Sequence, residues 1–508
     1  MKRYLVRCGI LPTEQIMMEE ILNKDLTGTN TGNYVYLYSI IRALMTDDTV
    51  QFESTRYRYQ FKQKEIDRFN KEFDGFIIPL ADAFRDSFKR ELIGLTETIR
   101  ALKIPCYVIG VGVSENIEKN YAKDGAFSFE DEARDFIEAV LEKSSMIGVR
   151  GQSTAHFLEY LGFKPDKDFC VIGCPSMYTW GDQIHIRDTK IDYNCKAAYN
   201  GTMKTTPETI QFVEDNAKKF SDIYFVPQNI EELQTMYWGS PNNVDATQED
   251  VYPTTLSHPI YAQDRVRIFL HVNEWMEFLR KRDFTFGTRL HGNIMSILSG
   301  TPSVMIAKDI RMRELAKYHG LAYVKSEDLS QYQDILEIVN SVDLHAPEKK
   351  QKENFEHYLD FLHANDLQTI FDQDRGHYLP FGEAPLDLVI AGKHISYQFK
   401  PATQCTPEEI ANRMFATITY QKKRLKSVRN ENFDLKHSNK SLKKSVHSLT
   451  QSIEDEQDET AKLSKSYKIC ETKKLEYENI LKTRTVRYAV KIRNLFFPEE
   501  KKISLPDS

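Results

Sequence analysis

The stretch "TFGTRLHGNIMSILSGTPSVMIAKD", Thr285 to Asp309, decides how the chain is read. It closes one short apolar run, "FTFG", passes through "GNIMSILSG" with helical spacing, and enters a second apolar run, "PSVMIA", after a Gly-Thr-Pro turn. Strands apolar on both faces that flank a helix belong to a parallel sheet covered on both sides. The spacing starts the helix at Gly292, so Arg289 and His291 fall between a strand's carboxyl end and a helix N-terminus. Such a junction attracts anions: first-turn amides carry partial positive charge, and an arginine forks to phosphate or carboxylate. Gly287 and Gly292 are expected to let a ligand approach the backbone closely. Lys308 ends the next strand and is expected at the same place. An isolated Arg-x-His is more often an ion pair beside a structural histidine.

The design is not isolated. "IGVRGQS", Ile147 to Ser153, repeats it upstream as strand, Arg150, glycine and helix. Around that repeat, "FDGFIIPL", "IPCYVIGVG" and "FCVIGC" read as strands, alternating with the helices "RELIGLTETIRALK", "DEARDFIEAVLEKSS" and "GQSTAHFLEYLGF". Past a turn-rich stretch at 179–206, "DIYFVP" and "RVRIFL" read as strands. "HVNEWMEFLRKR" follows as a helix capped by Asn273, and "RMRELAKYHG" as one closed by Gly320. Strand–helix alternation of this kind predicts two doubly wound α/β lobes, with ligand held off the carboxyl ends of their strands. Cationic junctions on both lobes suit a small ligand bearing more than one negative charge.

Composition changes near residue 420. Leu435, Leu442, Leu449, Leu463 and Tyr477 share one seven-residue register, and Val446, Ile453, Tyr467 and Leu481 share its partner, with Asn439 on that seam. The pattern predicts a coiled coil that makes a parallel homodimer, although Glu456, Cys470 and Lys474 interrupt it. A single long helix folding back on the core is the plainer alternative. In "TRTVRYAVKIRNLFFP", arginines and lysines interleave with valines, leucine and phenylalanines, as in helices that lie on anionic membrane surfaces.

The 508 residues carry a net charge of -6, which argues against a nucleic-acid partner. Seven cysteines, an odd number without a CxxC pair, read as reduced thiols. No apolar stretch is long enough to span a membrane, and the N-terminus lacks a signal-peptide core. The expected location is cytoplasmic, peripheral on the inner face of the membrane. No metal-spaced cluster, P-loop or GxGxxG is present, so neither a metal nor a cofactor is expected. The glycine-rich loop at Thr27 to Asn33 would either shape an acceptor pocket with Asn30 and Asn33 or merely cap a helix. Asp82 follows a strand and is a candidate base, with a surface or capping role as the commoner explanation. Cys174 and Ser176 end another strand, where no neighbouring histidine motif supports a nucleophile.

With these motifs in order, the sequence resembles the polysaccharide pyruvyl transferase family over residues 27 to 330. The resemblance rests on "GTNTGNYVYLYSIIRAL", "FIIPLADAF", "SMIGVRGQSTAHFLEYLGF", "VIGCPSMY" and "FTFGTRLHGNIMSILSGTPSVMIAKDIRMREL". It implies α/β architecture with two Rossmann-like, GT-B-like lobes, followed here by the C-terminal long helix or coiled coil. The chain is accordingly divided into an acceptor-side lobe at 1–180 and a donor-side lobe at 181–345, and outside the resemblance a helical and β-containing cap or return segment is read at 346–425. The coiled coil at 426–483 and the amphipathic tail at 484–508 complete the chain. The implied reaction moves the enolpyruvyl carbons of phosphoenolpyruvate onto two hydroxyls of a polysaccharide or lipid-linked sugar, giving a cyclic ketal. Arg289 and His291 match the donor motif as catalytic candidates. Arg150, Gly292 and Lys308 complete the donor set, and Asn30, Asn33 and Asp82 form the acceptor set. Where the family has an acidic Asp-Pro, this chain has Cys174-Pro175, which puts an acid/base role there in doubt. Two alternatives stand beside this reading. One is a nucleotide-sugar glycosyltransferase with Arg289 and Lys308 on the diphosphate and Glu314 on the ribose. The other is a non-catalytic scaffold of a polysaccharide-synthesis complex.

Overall fold

In the computed structural model, residues 2–113, 127–240, 251–372 and 377–466 are described. The first unit, Met1–Thr417, contains two parallel sheets. Six strands form the first: β1 (Arg3–Val6), β2 (Gln51–Ser54), β3 (Gly75–Pro79), β4 (Cys106–Val111), β5 (Ile147–Val149) and β6 (Phe169–Val171). Their order is β2-β1-β3-β4-β5-β6. The second holds β7 (Lys196–Asn200), β8 (Asp222–Phe225), β9 (Phe284–Gly287), β10 (Ser303–Ala307) and β11 (Tyr323–Lys325), ordered β11-β10-β9-β7-β8. β3, β4, β9 and β10 are buried along their whole length, as continuous apolar runs in a covered parallel sheet should be.

Each sheet reverses its winding once, between β1 and β3 in the first lobe and between β7 and β9 in the second. At such a switch point the loops leaving neighbouring strands diverge and open a crevice off the carboxyl ends. Arg7 and Leu80–Asp82 follow β1 and β3; Asn200 and Thr288–Arg289 sit at the ends of β7 and β9.

Several details depart from the sequence pattern. β1, β2, β7 and β11 were hidden in polar or short segments, and β7 lies inside the supposedly turn-rich stretch. Arg265–Leu270 is not a strand: only Val266 pairs, through a single bridge to Phe225. His271, not Asn273, occupies the N-cap of the Val272–Leu279 helix. Its ring meets the Pro12 carbonyl at 3.3 Å, and the helix is entered two residues before the expected cap. Gly320 does close its helix, in the left-handed conformation with φ 69°.

The return segment is helical, and among its described residues no strand appears. The apolar run at 386–392 becomes the Pro385–Lys393 helix because Pro385 begins it and Asp387 accepts the N–H groups of Gly382 and Ala384. The same carboxylate pairs with Arg42 at 3.1 Å in full burial, tying this helix to the Gly32–Leu44 helix of the first lobe. Ala346–Ala364 also reaches back to that lobe: Asn365, which caps it, accepts the amides of Ser145 and Met146.

The second unit, Ile418–Ser508, is described as far as Ser466, within the helix Pro407–Ser466. There Leu442 is exposed and Val446 buried. The side chains of Leu435, Leu449, Ile453 and Leu463, the positions Tyr467, Tyr477 and Leu481, and the 484–508 tail lie outside the described residues. No described helix is long and apolar enough to cross a membrane. The described cysteines are all free thiols.

Candidate active site

The turn at Gly287–Leu290 is built from asparagines. Asn293 donates to the carbonyls of Gly287 at 3.1 Å and Arg289 at 2.7 Å, while Ser303 of β10 donates to its Oδ1 at 2.8 Å. Asn200, at the end of β7, accepts the Arg289 amide at 2.7 Å. Gly287 has φ 148°, and a side chain there would strike the Asn200 carbonyl, so this glycine admits a neighbouring strand rather than a ligand. The helix runs Leu290–Leu298, two residues earlier than its spacing suggested, so Arg289 is the N-cap and His291 lies in the first turn.

Arg289 and His291 open onto a cavity of about 870 Å³. Asn30, Asn33, Asp82, Arg150 and Lys308 line the same cavity. Residues from both lobes therefore converge on one space, including seven of the eight positions singled out from sequence. Gly292 is the exception. Its missing side chain leaves room for Gln228 and Asn200, whose amide nitrogens lie 2.5 and 2.8 Å from where its Cβ would stand. The lining contains eight lysines and arginines against three carboxylates, so the cavity carries an excess of positive charge.

The cations differ in what neutralises them. Asp82 accepts from Arg85 at 2.9 Å and pairs with Arg311, which also reaches Asp309 at 3.1 Å. Burial pushes the Asp82 pKa up, but Arg311, Arg85 and Arg150 outweigh it and hold the carboxyl below its ordinary value. Asp82 is thus a clamp for cations and a weak base, which corrects the base role considered for it. Arg150 and Arg289 pair with no carboxylate among the described residues. Arg150 is buried, stacks 4.8 Å over Tyr36 and donates Nε to the Gly110 carbonyl at 2.8 Å, while its Nη2 has no partner. Arg289 feels the charge of Glu232, which is itself occupied by the Asn229 amide at 3.0 Å and the Tyr252 hydroxyl at 2.8 Å. Lys308 donates to the Lys204 carbonyl at 2.8 Å; burial first, then Arg289, lowers its pKa to about 8.

His291 is 7% exposed and wedged between lobes. Its Nε2 lies 3.7 Å from Cys174 Sγ, and Gly32 leaves the space its ring needs. Burial, then Arg150, Arg289 and Arg311, drives its pKa down to about 3, so the imidazole is neutral. Cys174 therefore does have histidine neighbours, contrary to the local reading: its amide also donates to His319 Nε2 at 2.7 Å. Both histidines arrive from the other lobe, more than 100 residues away, where no local motif could announce them.

Asn30 and Asn33 line the cavity, but Asn30 Oδ1 accepts the Gly32 amide at 2.9 Å and Asn33 donates to the Thr27 and Gly28 carbonyls. Their loop-shaping role is thus present in the structure. Glu314 accepts the Ser153 amide at the start of the Gln152–Tyr160 helix, a commitment that removes it from the ribose role. Sequence reasoning missed Arg7, Gln228 and Thr288 on the cavity wall and gave no role to Arg311. Arg311 stood in plain view within "KDIRMRE"; Gln228 follows β8 in "FVPQN", where a neutral amide gives no charge signal.

The model of the family described as "Polysaccharide pyruvyl transferase" matches residues 30–309, more than half of the chain and all seven cavity positions named above. The chain belongs to this family. Among curated proteins nothing matches this pyruvyl transferase family member. Solved structures resemble it distantly. The UDP-GlcNAc 2-epimerase from Neisseria meningitidis bound to UDP-GlcNAc is 10% identical, with 72% of this chain and 100% of that one covered and a TM-score of 0.38. The Methanocaldococcus jannaschii UDP-GlcNAc 2-epimerase, in complex with UDP-GlcNAc and UDP, is 10% identical, with 72% and 99% covered and a TM-score of 0.41. T4 phage BGT in complex with UDP and Mn2+ is 13% identical, with 72% and 100% covered and a TM-score of 0.35.

Proposed function

We propose that this family member transfers the enolpyruvyl group of phosphoenolpyruvate to a sugar of a surface polysaccharide or its lipid-linked precursor, forming a pyruvate ketal. The observation that carries the reading is the pair of guanidinium groups without carboxylate partners, Arg150 from one lobe and Arg289 from the other, lining one cavity. Phosphoenolpyruvate carries a phosphate and a carboxylate, both of which present the paired oxygens that an arginine's planar fork fits. At about 870 Å³ the cavity is near the upper end of the roughly 300–1,000 Å³ range of small-molecule sites, which leaves room for an acceptor beside the donor.

In the reaction a sugar hydroxyl adds to C2 of the enol phosphate while a proton is delivered to the methylene carbon. A second hydroxyl then closes the ketal as the C2–O bond to phosphate breaks. Charge grows on the departing phosphate, where Arg289, Lys308 and the amides opening the Leu290–Leu298 helix stabilise it. The neutral His291 first accepts the hydroxyl proton. With an anionic donor beside it, its pKa rises and it becomes able to return that proton as a general acid. No metal or cofactor is required by this scheme. The coiled-coil register and the basic tail would pair two copies and hold them at the inner membrane face, close to a lipid-linked acceptor.

The test is calorimetric titration with phosphoenolpyruvate, UDP and GDP, followed by phosphate-release assays with a panel of lipid-linked sugars. Saturable binding of phosphoenolpyruvate and acceptor-dependent phosphate release are expected. Binding of UDP or GDP without phosphoenolpyruvate binding would replace this reading with glycosyl transfer.

A further inference from the structure

The anion-binding groups leave one feature of the cavity unexplained. Gln228, three residues past the end of β8, lines the cavity yet is 99% buried, being 1% exposed, and neither its Oε1 nor its Nε2 has a hydrogen-bond partner. Thr288, 2% exposed on the same wall, has a bare Oγ1. Buried amides and hydroxyls are normally satisfied, because an orphaned polar group costs about 1–3 kcal/mol. The backbone around Gln228 is firmly held: its carbonyl accepts the Thr31 amide at 2.8 Å, and an Asn30–Asn229 bridge joins the two lobes beside it. The space around its side chain is kept by glycines, since a Cβ at Gly32 would lie 3.0 Å from its Oε1 and one at Gly292 2.5 Å from its Nε2.

We infer that Gln228, with Thr288, forms a subsite for a neutral hydroxyl-bearing ring, the acceptor sugar, next to His291. An anion would satisfy the amide nitrogen and leave the carbonyl oxygen facing negative charge. A hydroxyl both donates and accepts, so it satisfies either end of the amide, whichever way that amide is turned. Gly32 places the two residues together: its Cβ position lies 2.8 Å from His291 Cβ and 3.0 Å from Gln228 Oε1. A hydroxyl held by Gln228 therefore stands beside the imidazole that would take its proton. The acceptor's reacting edge is accordingly read by the second lobe, which the sequence had assigned to the donor alone. The assignment rests on pyruvyl transfer only in naming this hydroxyl as the acceptor's.

Gln228→Met keeps the side chain's length and removes no internal hydrogen bond, so the full chain should fold with an unchanged or higher Tm. Gln228→Glu serves as the second variant, retaining acceptor oxygens and adding charge. The probes are p-nitrophenyl glycosides of neutral hexoses and N-acetylhexosamines, followed by saturation-transfer NMR, and phosphoenolpyruvate, followed by calorimetry. Glycoside affinity should fall about tenfold or more in Gln228→Met, the effect of one lost buried hydrogen bond, with phosphoenolpyruvate affinity within about threefold of the parent. Equal glycoside binding by parent and Gln228→Met, or no saturable glycoside binding by the parent, overturns the subsite. Loss of phosphoenolpyruvate binding in Gln228→Met and Gln228→Glu assigns the amide to the anion instead, and also overturns it. Failure of the parent to bind phosphoenolpyruvate, with glycoside binding lost only in Gln228→Met, would sink pyruvyl transfer and leave the hydroxyl subsite standing.

Discussion

Replacing Arg289 by alanine separates function from most of stability, because this guanidinium forms no ion pair among the described residues. Its backbone N–H would keep its bond to Asn200, and Glu232, whose buried charge it faces, would keep its bonds from Asn229 and Tyr252. Its pKa is lowered, first by burial and then partly by Arg311, so the folded protein holds it at a cost. The Arg289→Ala Tm should therefore lie within about 2 °C of the parent, the shift that under about 1 kcal/mol produces in a large domain. The ligand loses a charge-assisted contact worth about 1.5–3 kcal/mol, or roughly 10- to 150-fold in phosphoenolpyruvate affinity. Phosphate release should fall further, because the contact strengthens as the leaving phosphate gains charge. Calorimetric titration, differential scanning and a phosphate assay on one preparation measure all three. Undiminished phosphate release at an equal Tm refutes the reasoning, and so does a collapse of Tm, which would mean that Arg289 is structural.

Lys308, its pKa lowered to about 8, should gain a proton on binding an anion. Affinity for phosphoenolpyruvate then falls as pH rises through about 8, and titrations in buffers of different ionisation enthalpy should show proton uptake that vanishes in Lys308→Met. His291 and His319 both titrate near 3 when folded and near 6.5 when unfolded, each lowered chiefly by burial. The unfolded chain binds the extra protons, so stability is full above about pH 6.5 and is lost as pH falls toward 3, at up to about 1.4 kcal/mol per pH unit for each ring. A denaturation series in which His319→Asn shows the same acid slope as the parent would contradict this. Asp387→Ala leaves Arg42 charged and buried, and urea unfolding should show a loss of about 3–5 kcal/mol. Deleting 484–508 should release the protein from anionic liposomes in flotation, and an unchanged profile would remove the membrane reading.

The sequence disclosed the site better than it disclosed the sheets that carry it. Arg150 and Arg289 were legible because each follows a strongly apolar strand and precedes a glycine and a helix, a pattern confined to a dozen residues. β7 was not legible: "KAAYN" is short, and the alanines that let it lie between β8 and β9 carry little hydrophobic signal. Yet β7 supplies Asn200, which holds the Arg289 turn. Partnerships across lobes were equally hidden. The Cys174–His291 contact and the Arg311–Asp82 pair join positions 117 and 229 residues apart. Spacing within one element cannot report such a pair, so Asp82 looked free and the cysteine looked alone.

The distribution of charge gives the site an energetic character of its own. Arg150, Arg289 and Arg311 all lie close enough to His291 to lower its pKa, after burial, which has the largest effect. Asp82 offsets part of this field through Arg85 and Arg311, while Arg150 and Arg289 have no carboxylate in ion-pair contact among the described residues. Like charges drawn from two lobes push those lobes apart, while the buried Arg42–Asp387 pair and the returning Ala346–Ala364 helix hold the fold closed. A small polyanion should therefore stabilise the whole unit by more than contacts to one lobe would suggest. At a concentration 100 times its Kd, phosphoenolpyruvate should add about 2.7 kcal/mol by mass action. The informative comparison is salt: raising ionic strength screens the repulsion in the free protein and weakens the ligand, so the ligand-induced rise in Tm should shrink with added potassium chloride. A rise independent of salt would show that the cavity's cations are neutralised from within, and the anion site would lose its physical basis.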